Sequence, residues 1–239
     1  MHRCSSAISA YWDELFESGT CMPTAGDFSL VINPRLTAER RAMVMTNANG
    51  ATRAVLSPPV ASALGIAPCS PPVSLRELRD ALSAAGIEMH APDVIYYMPA
   101  AGASATRKSN LPDVRQLTSD DAEIFHGFMA QVSVDDQDDA SVELTHWATF
   151  GAFMGSELLA VSSLYPWGGV AIADMGVLTM PRARGKGLAR SLVHAMIGHA
   201  AKRGYEAQYR CQFDNVASKA LAESIGLAPY GEWEVACSL

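Results

Sequence analysis

The chain has 239 residues, which is enough for one large domain or two small ones. Hydrophobic residues make up 49% and charged residues 18%, so the composition allows a packed core and excludes an intrinsically disordered chain. Residues 1–110 carry balanced charge, so the net charge of −7 comes from the second half. Because an acidic half repels a phosphate backbone, we expect no nucleic-acid partner.

Targeting and redox signals predict a cytoplasmic protein. The sequence has no run of 18 apolar residues for a membrane span, and the polar residues around Trp12 exclude the apolar region of a signal peptide. The five cysteines are odd in number, scattered and without a C-x-x-C pair. This pattern predicts reduced thiols and neither a disulfide framework nor a metal site. We therefore expect no membrane partner and no metal, and we leave a homodimer open.

The first half mixes helix and strand patterns. A helix is predicted over 11–17, and strands are predicted over 28–32, 42–46, 52–56 and 94–97. The turn at residues 47–50 (NANG) predicts a hairpin between two of these strands. Another helix is predicted over 75–85, with Ser74 and Glu77 as a capping box and Gly86 at its end. This half is α+β and shows no catalytic constellation.

Two segments rich in proline, serine and glycine interrupt the chain, at residues 57–72 and 99–112. The second has almost no apolar content beyond alanine, which is typical of a linker. We place a domain boundary near residue 110. The predicted division is an N-terminal domain over 1–110 and a second domain over 111–239.

The second half follows a more regular order. A strand over 114–117 precedes a helix that begins near 119 and a second helix over 141–147. Strands over 149–154, 158–164 and 170–179, joined by tight turns, predict an antiparallel meander. An amphipathic helix over 188–203, a strand over 207–213, a helix over 214–225 and a strand over 232–236 follow. We predict an α/β fold with a mixed, mostly antiparallel central sheet flanked by helices.

A glycine-rich turn lies between the meander and the amphipathic helix, with the sequence PRARGKGLA from residue 181. Gly185 and Gly187 allow a tight turn and a close approach of the backbone to a ligand. Amides at a helix N-terminus form an anion site, and Arg182, Arg184 and Lys186 add positive charge. The alternative is an ordinary strand-to-helix turn with two glycines and exposed basic residues. The spacing of the glycines matches neither a dinucleotide fingerprint nor a P-loop. The expected ligand is a diphosphate.

This turn, Arg182-x-x-Gly185-x-Gly187, resembles the pyrophosphate motif R/Q-x-x-G-x-G/A of the GNAT N-acetyltransferase superfamily. The predicted element order over residues 112–239 is similar to that of the family. A later family signature, N-x-x-A/S followed by G-F, matches Asn215 and Ser218 and then Gly226-Leu227 in spacing. The resemblance implies the transfer of an acetyl group from acetyl-CoA to a primary amine by direct attack in a ternary complex.

The resemblance also implies the cofactor site, residue by residue. The strand that ends at Thr179 would part from the strand that starts at 207, and its backbone would pair with the pantetheine arm. Amides from Gly185 to Ala189 would hold the pyrophosphate, and Asn215 would touch the pantetheine. The implied cofactor-binding residues are Val177, Leu178, Thr179, Arg182, Arg184, Gly185, Lys186, Gly187, Leu188, Ala189, Asn215 and Ser218.

The chain departs from the family where a tyrosine commonly serves as general acid, because Ala222 stands there. A thiol with a reference pKa of about 8.5 leaves tolerably without an acid, and losing one costs about 10²–10⁴ in rate. The hydroxyl or thiol groups that could replace it are those of Tyr165, Tyr209, Cys211 and Tyr230. The sequence does not choose among them.

The general base is a second departure. Some relatives place a glutamate eleven residues before the motif arginine, where this chain has Ala171. The nearest carboxylate is Asp174, which we predict as the base if a bulge shifts the strand register. Glu143, His146 and an ordered water are the alternatives.

The acceptor is predicted from charge alone. Residues 135–139 (DDQDD) form either a solvated loop or an acidic collar for a cationic amine, such as a polyamine, an aminoglycoside or a basic peptide.

Two rival hypotheses stay open. The chain could be a non-catalytic acyl-CoA-binding module, or residues 1–110 could be a degenerate copy of the same fold that forms an acceptor-side wall.

Overall fold

The computed structural model describes residues 4–100 and 113–237. The helices in the described residues are α1 (Ser6–Glu17), α2 (Pro58–Ala63), α3 (Leu75–Ala84), α4 (Ala122–Met129), α5 (Val134–Ala140), α6 (Leu188–Ala201) and α7 (Val216–Ser224). The strands are β1 (Thr20–Met22), β2 (Phe28–Ile32), β3 (Ala42–Asn47), β4 (Thr52–Leu56), β5 (Asp93–Tyr97), β6 (Asp113–Leu117), β7 (Ala148–Met154), β8 (Glu157–Trp167), β9 (Ile172–Thr179), β10 (Glu206–Gln212) and β11 (Ala228–Val235). None of these helices combines the length and the apolar character that a membrane span needs.

The chain divides into two compact units. Unit 1 contains Tyr96–Cys211, Asn215–Ala228 and the first residues of the chain. Unit 2 contains Ser6–Ile95, Gln212–Asp214 and Pro229–Leu239. The boundary near residue 110 and most of the proposed linker lie outside the described residues, so the division at that point stays a prediction.

Unit 2 is a sheet with strand order β1-β2-β4-β3-β11. Only β2 and β4 run parallel; the other neighbours are antiparallel, and β3 and β4 form the predicted hairpin. Leu30 and Leu56 of the sheet share a core with Val60 of α2 and Leu78 of α3. The capping box that begins α3 is formed as predicted.

Unit 1 has strand order β10-β9-β8-β7-β6, in which β6 to β9 are an antiparallel meander. The remaining pair, β9 and β10, is parallel and is connected by α6, as parallel neighbours require a crossover. Phe125 and Phe128 of α4 share a core with Leu178 of β9 and Leu192 of α6. The predicted fold class, a mixed and mostly antiparallel sheet flanked by helices, is confirmed.

The predicted helix over 141–147 is wrong, because the second helix of unit 1 is α5. The Ser133 side chain accepts a hydrogen bond from the Asp136 amide and caps this helix. The acidic side chains of the first turn interact favourably with the helix dipole. In the sequence alone, the same run of acidic residues is also typical of a solvated loop. The helix ends at Ala140, and its C-cap Ser141 is in the left-handed region at φ 47°.

Three further elements differ from the prediction. Helix α1 begins at Ser6, five residues before its predicted start. The short strand β1 was not predicted. Residues 57–72 contain α2, which starts at Pro58-Pro59, where proline is tolerated because first-turn amides lack intrahelical partners.

Candidate active site

The pairing between the parallel strands β9 and β10 ends halfway along β9. Their pairing runs from Ile172 with Glu206 to Met175 with Tyr209. On its other edge, β9 stays paired with β8 as far as Thr179. The segment 176–179 therefore turns one edge of its backbone toward a gap. The predicted pantetheine-binding residues Val177, Leu178 and Thr179 lie in this segment.

The glycine-rich turn follows β9 directly. A single 3₁₀ turn, Pro181–Ala183, leads to Gly185 and Gly187, whose φ angles are 78° and 79°. Residues other than glycine rarely adopt this left-handed conformation. Gly187 is the N-cap of α6, so the amides of Leu188 and Ala189 belong to the first turn, which has no intrahelical acceptors. This arrangement suits an anion.

Both arginines of the turn are ion-paired with carboxylates of neighbouring elements. Arg182 binds Glu157, the first residue of β8. Arg184 Nη2 lies 3.1 Å from Asp136 Oδ2 of α5, and its Nε donates to Thr179 O. All four side chains are exposed, so each pair is worth little. The backbone amides are consequently the stronger part of the anion site, and Lys186 is an exposed cation beside them.

Asn215 and Ser218 begin α7. The Asn215 side chain caps the helix by accepting from the Ser218 amide at 3.0 Å, a role that the sequence reasoning missed although Asn is a common N-cap. The Ser218 hydroxyl is hydrogen-bonded with Tyr209 of β10. Ala222, one turn further along α7, is fully buried.

Asp174 lies on β9 next to the point where the strands part, and it is 3% exposed. Its Oδ2 accepts from the Tyr165 hydroxyl at 2.8 Å and forms an ion pair with Arg210 Nη2 at 3.3 Å. Its Oδ1 accepts from Gln208 Nε2 at 2.8 Å, and Gln208 accepts in turn from the Tyr97 hydroxyl. Each of these donors stabilises the charged carboxylate and so opposes the uptake of a proton by Asp174. Its role as the general base stays a prediction.

A second polar group lies on the same face of the sheet. Gly176 and Asp174 are two residues apart on β9, and Ser163 and Tyr165 of β8 are directly opposite them. Ser163 Oγ is 2.8 Å from His146 Nδ1, and the His146 ring lies 4.8 Å from that of Tyr165. The sequence reasoning missed Ser163, although two serines in the apolar strand β8 were a visible signal.

The C-terminal end of α5 closes over this face at Gly176. A Cβ on Gly176 would lie 1.7 Å from the Ala140 carbonyl oxygen. Only glycine allows this approach, which positions residues 141–146 and hence His146 beside β8 and β9.

The structure separates the four groups that could replace the missing tyrosine. The Tyr165 hydroxyl already donates to Asp174, and burial raises its pKa well above its ordinary value. Tyr230 belongs to unit 2, where it stacks on Trp12. Tyr209 and Cys211 are buried on β10, and burial raises the pKa of Tyr209 to about 12. Of the four groups, Tyr209 is the one that belongs to the last residue pair between β10 and β9.

Among residues 4–100 and 113–237, no group of three or more His, Cys, Asp and Glu side chains is arranged to hold a metal ion.

Comparison with known proteins identifies the larger part of unit 1. Residues 112–227 match the family model of the acetyltransferase (GNAT) family. A protein from Novosphingobium aromaticivorans assigned to that family is 16% identical over 96% of this chain and 93% of that chain, with a TM-score of 0.50. A GNAT acetyltransferase from Colwellia psychrerythraea is 16% identical over 68% of this chain, with a TM-score of 0.48. An aminoglycoside N-acetyltransferase in complex with CoA is 20% identical over 48% of this chain and 90% of that chain, with a TM-score of 0.38.

The chain spans 62% of the Colwellia protein, which is less than two thirds of its length. No protein of curated function matches the chain in sequence. At these identities the Novosphingobium protein shows a shared fold. The family match is more specific, because it covers the residues of the glycine-rich turn and Asn215. Residues 112–227 of this chain are therefore an acetyltransferase domain of the GNAT family.

Proposed function

We propose that the chain transfers an acetyl group from acetyl-CoA to a primary amine by direct attack in a ternary complex. The observation that carries this proposal is that β9 leaves β10 just before the Gly185–Gly187 turn at the start of α6. An open strand edge followed by an anion site has the order of groups found in CoA, where a diphosphate is joined to an amide-containing arm.

The cofactor contacts follow from this arrangement. Backbone groups of Val177, Leu178 and Thr179 pair with the two amides of the pantetheine arm. Amides from Gly185 to Ala189 bind the diphosphate, with Arg182, Arg184 and Lys186 adding positive charge. Asn215 and Ser218 contact the arm from α7. The proposal is supported by the left-handed φ angles of both glycines and by the free first-turn amides of α6.

A cationic amine, either a small molecule or a peptide end, is the proposed acceptor. Helix α5 carries four aspartates and packs against β9, so its charge lies close to the face that bears Asp174. Asp174 itself is the general base predicted from the sequence. The Asp174→Asn variant tests that prediction, because loss of a base abolishes the acid limb of the pH–rate profile, whereas loss of a positioning residue keeps it.

Gly187→Trp tests the cofactor site. A tryptophan there fills the space in front of the first-turn amides, and we expect acetyl-CoA binding, measured by calorimetry, to become at least about a hundredfold weaker. The matched control is Gly204→Trp. Gly204 lies beyond the other end of α6, has a φ of 76° and has no neighbour within 4 Å of a Cβ, so it carries the same backbone strain. Wild-type affinity in Gly187→Trp would contradict the proposal.

A non-catalytic acyl-CoA-binding module is the second candidate. It is favoured by the complete burial of Ala222, which supplies no hydroxyl where the family motif has one. A panel of spermidine, kanamycin and a basic peptide, assayed for release of free CoA thiol, distinguishes the two. Tight acetyl-CoA binding without turnover on any amine would favour the binding module.

A further inference from the structure

His146 lies in the segment between α5 and β7 and is held in place by groups from several elements. Its Nδ1 is 2.8 Å from Ser163 Oγ of β8, and its ring packs against Tyr165. Ser163 Oγ is also 3.4 Å from the Glu143 amide, which donates to it. The side chain of His146 is 18% exposed, so the ring is fixed yet still reaches solvent.

We propose that His146 Nε2 takes the proton from the acceptor amine during acetyl transfer, with Ser163 as the residue that positions the ring. The proposal rests on the acetyltransferase function proposed above and identifies its proton acceptor. Asp174 then has a positioning role, since it holds Tyr165 and Arg210.

The location of His146 supports this assignment. Ser163 is directly opposite Gly176, the first residue of β9 beyond its last pair with β10. His146 therefore lies beside the point where the strands part, which is where the thioester of a cofactor threaded between them would end. Asp174 is equally close to this point, but donors from Tyr165, Gln208 and Arg210 occupy its oxygens.

The hydrogen bonds allow the tautomer that a base needs. Ser163 Oγ has two lone pairs, so it can accept from the Glu143 amide and from His146 Nδ1–H together. In that tautomer Nδ1 carries the proton, and the lone pair of Nε2 is available. The nearest carboxylate, Glu143 Oε2, is 3.8 Å from Nε2, too far for a hydrogen bond but close enough to stabilise an imidazolium.

The charge state of the ring is also suitable. Burial lowers the pKa of His146, and the neighbouring Glu143 carboxylate opposes this shift in part. The other titratable groups on this face are Tyr165, whose hydroxyl stays protonated, and Asp174, whose charge is paired with Arg210. His146 is therefore neutral at pH 7 and can accept a proton.

Acetyl transfer forms one bond and breaks one. The lone pair of the neutral amine forms the new N–C bond at the acetyl carbonyl carbon, and the C–S bond breaks with its electron pair on sulfur. The proton lost by nitrogen moves to His146 Nε2, and His146 later returns it to solvent. The CoA thiolate leaves and takes up a proton of its own, which completes one acetylated amine and one CoA thiol.

His146→Asn tests the proposal, because asparagine can still donate to Ser163 but is not a base. With spermidine, kanamycin or the basic peptide as acceptor, we expect kcat/KM to fall about 10²–10⁴-fold, and its acid limb to lose the ionisation of the histidine and keep only that of the amine. Acetyl-CoA affinity by calorimetry should be unchanged. Ser163→Ala should shift the acid limb and lower kcat. Asp174→Asn should lower the rate but keep the limb. The control is His194→Asn, the same change at a histidine of α6 that has no part in the proposed chemistry, and it should match the wild type.

An intact acid limb in His146→Asn overturns the proposal. If that variant does not fold, the wild-type protein decides: the pKa of the His146 ring, measured by NMR, must equal the kinetic pKa, and a difference overturns the proposal. A wild-type protein that binds acetyl-CoA but acetylates no amine refutes the proposed function, and this inference with it. Turnover in the wild type with no effect of His146→Asn refutes the inference alone.

Discussion

At the residue scale, we predict that Tyr209 assists the departing thiolate. It is in the last pair between β9 and β10, and its hydroxyl is hydrogen-bonded with Ser218 of α7. Its pKa of about 12 keeps the hydroxyl protonated and therefore a donor. In Tyr209→Phe we expect kcat to fall about a hundredfold, the lower end of the range for losing an acid, because a thiolate leaves readily. The measurement is steady-state kinetics with acetyl-CoA.

Tyr96→Phe is the control for this prediction. Tyr96 is also buried, and its ring lies 6.3 Å from that of Tyr209, so the variant removes a neighbouring hydroxyl of similar environment. We expect it to keep wild-type kcat. The selenoester analogue of acetyl-CoA adds a second check, because a selenolate leaves more easily and should reduce the defect of Tyr209→Phe. Equal kcat in Tyr209→Phe and the wild type would show that another group serves the thiolate.

At the scale of elements, local signals predicted what local interactions determine. The β3–β4 hairpin and the capping box of α3 depend on residues within a few positions of each other, and both are confirmed. The position of α5 was mispredicted because four aspartates fit a solvated loop as well as a capped first turn. The Asp174 cluster could not be predicted, since it joins Tyr97, Tyr165 and Gln208, which only the strand order of the sheet brings together.

Helix α5 also affects the cofactor turn, through the pair between Asp136 and Arg184. Asp136→Asn removes a negative charge that competes with the diphosphate for this arginine. We expect acetyl-CoA to bind up to about fivefold more tightly, because an exposed pair is worth at most ~1 kcal/mol. Calorimetry at low and high salt should show the effect shrinking as salt screens the charges.

The control is Asp138→Asn, which removes the same charge from an exposed position two residues away on a different side of α5. It should leave the affinity unchanged. Equal tightening in both variants would mean that the general field of α5 acts on the cofactor, and the specific pair would then have no role.

At the scale of the whole molecule, three histidines of unit 1 make stability depend on pH. Burial is the main cause that lowers the pKa of His146, His194 and His199 below the ordinary 6.5. Between 6.5 and each lowered pKa the unfolded chain binds more protons than the folded chain. The contribution of these histidines to the free energy of unfolding is therefore fully present above pH 6.5. It is lost as the pH falls through their pKa values in the folded state. We expect the thermal midpoint, followed by circular dichroism, to fall between pH 7.5 and pH 5.

His199 is the most informative of the three, because its ring packs against Trp147 and Phe150 at 5.6 Å and 5.3 Å. Its buried Nε2 has no hydrogen-bond partner within the described part of the chain, so a proton there gains no acceptor. His199→Phe keeps the aromatic packing and removes the titration, and we expect it to reduce the fall of the thermal midpoint. His126→Gln changes an exposed histidine of α4 and should leave that fall unchanged. If both variants lose stability with acid as steeply as the wild type, protonation of His199 is not a cause of the loss.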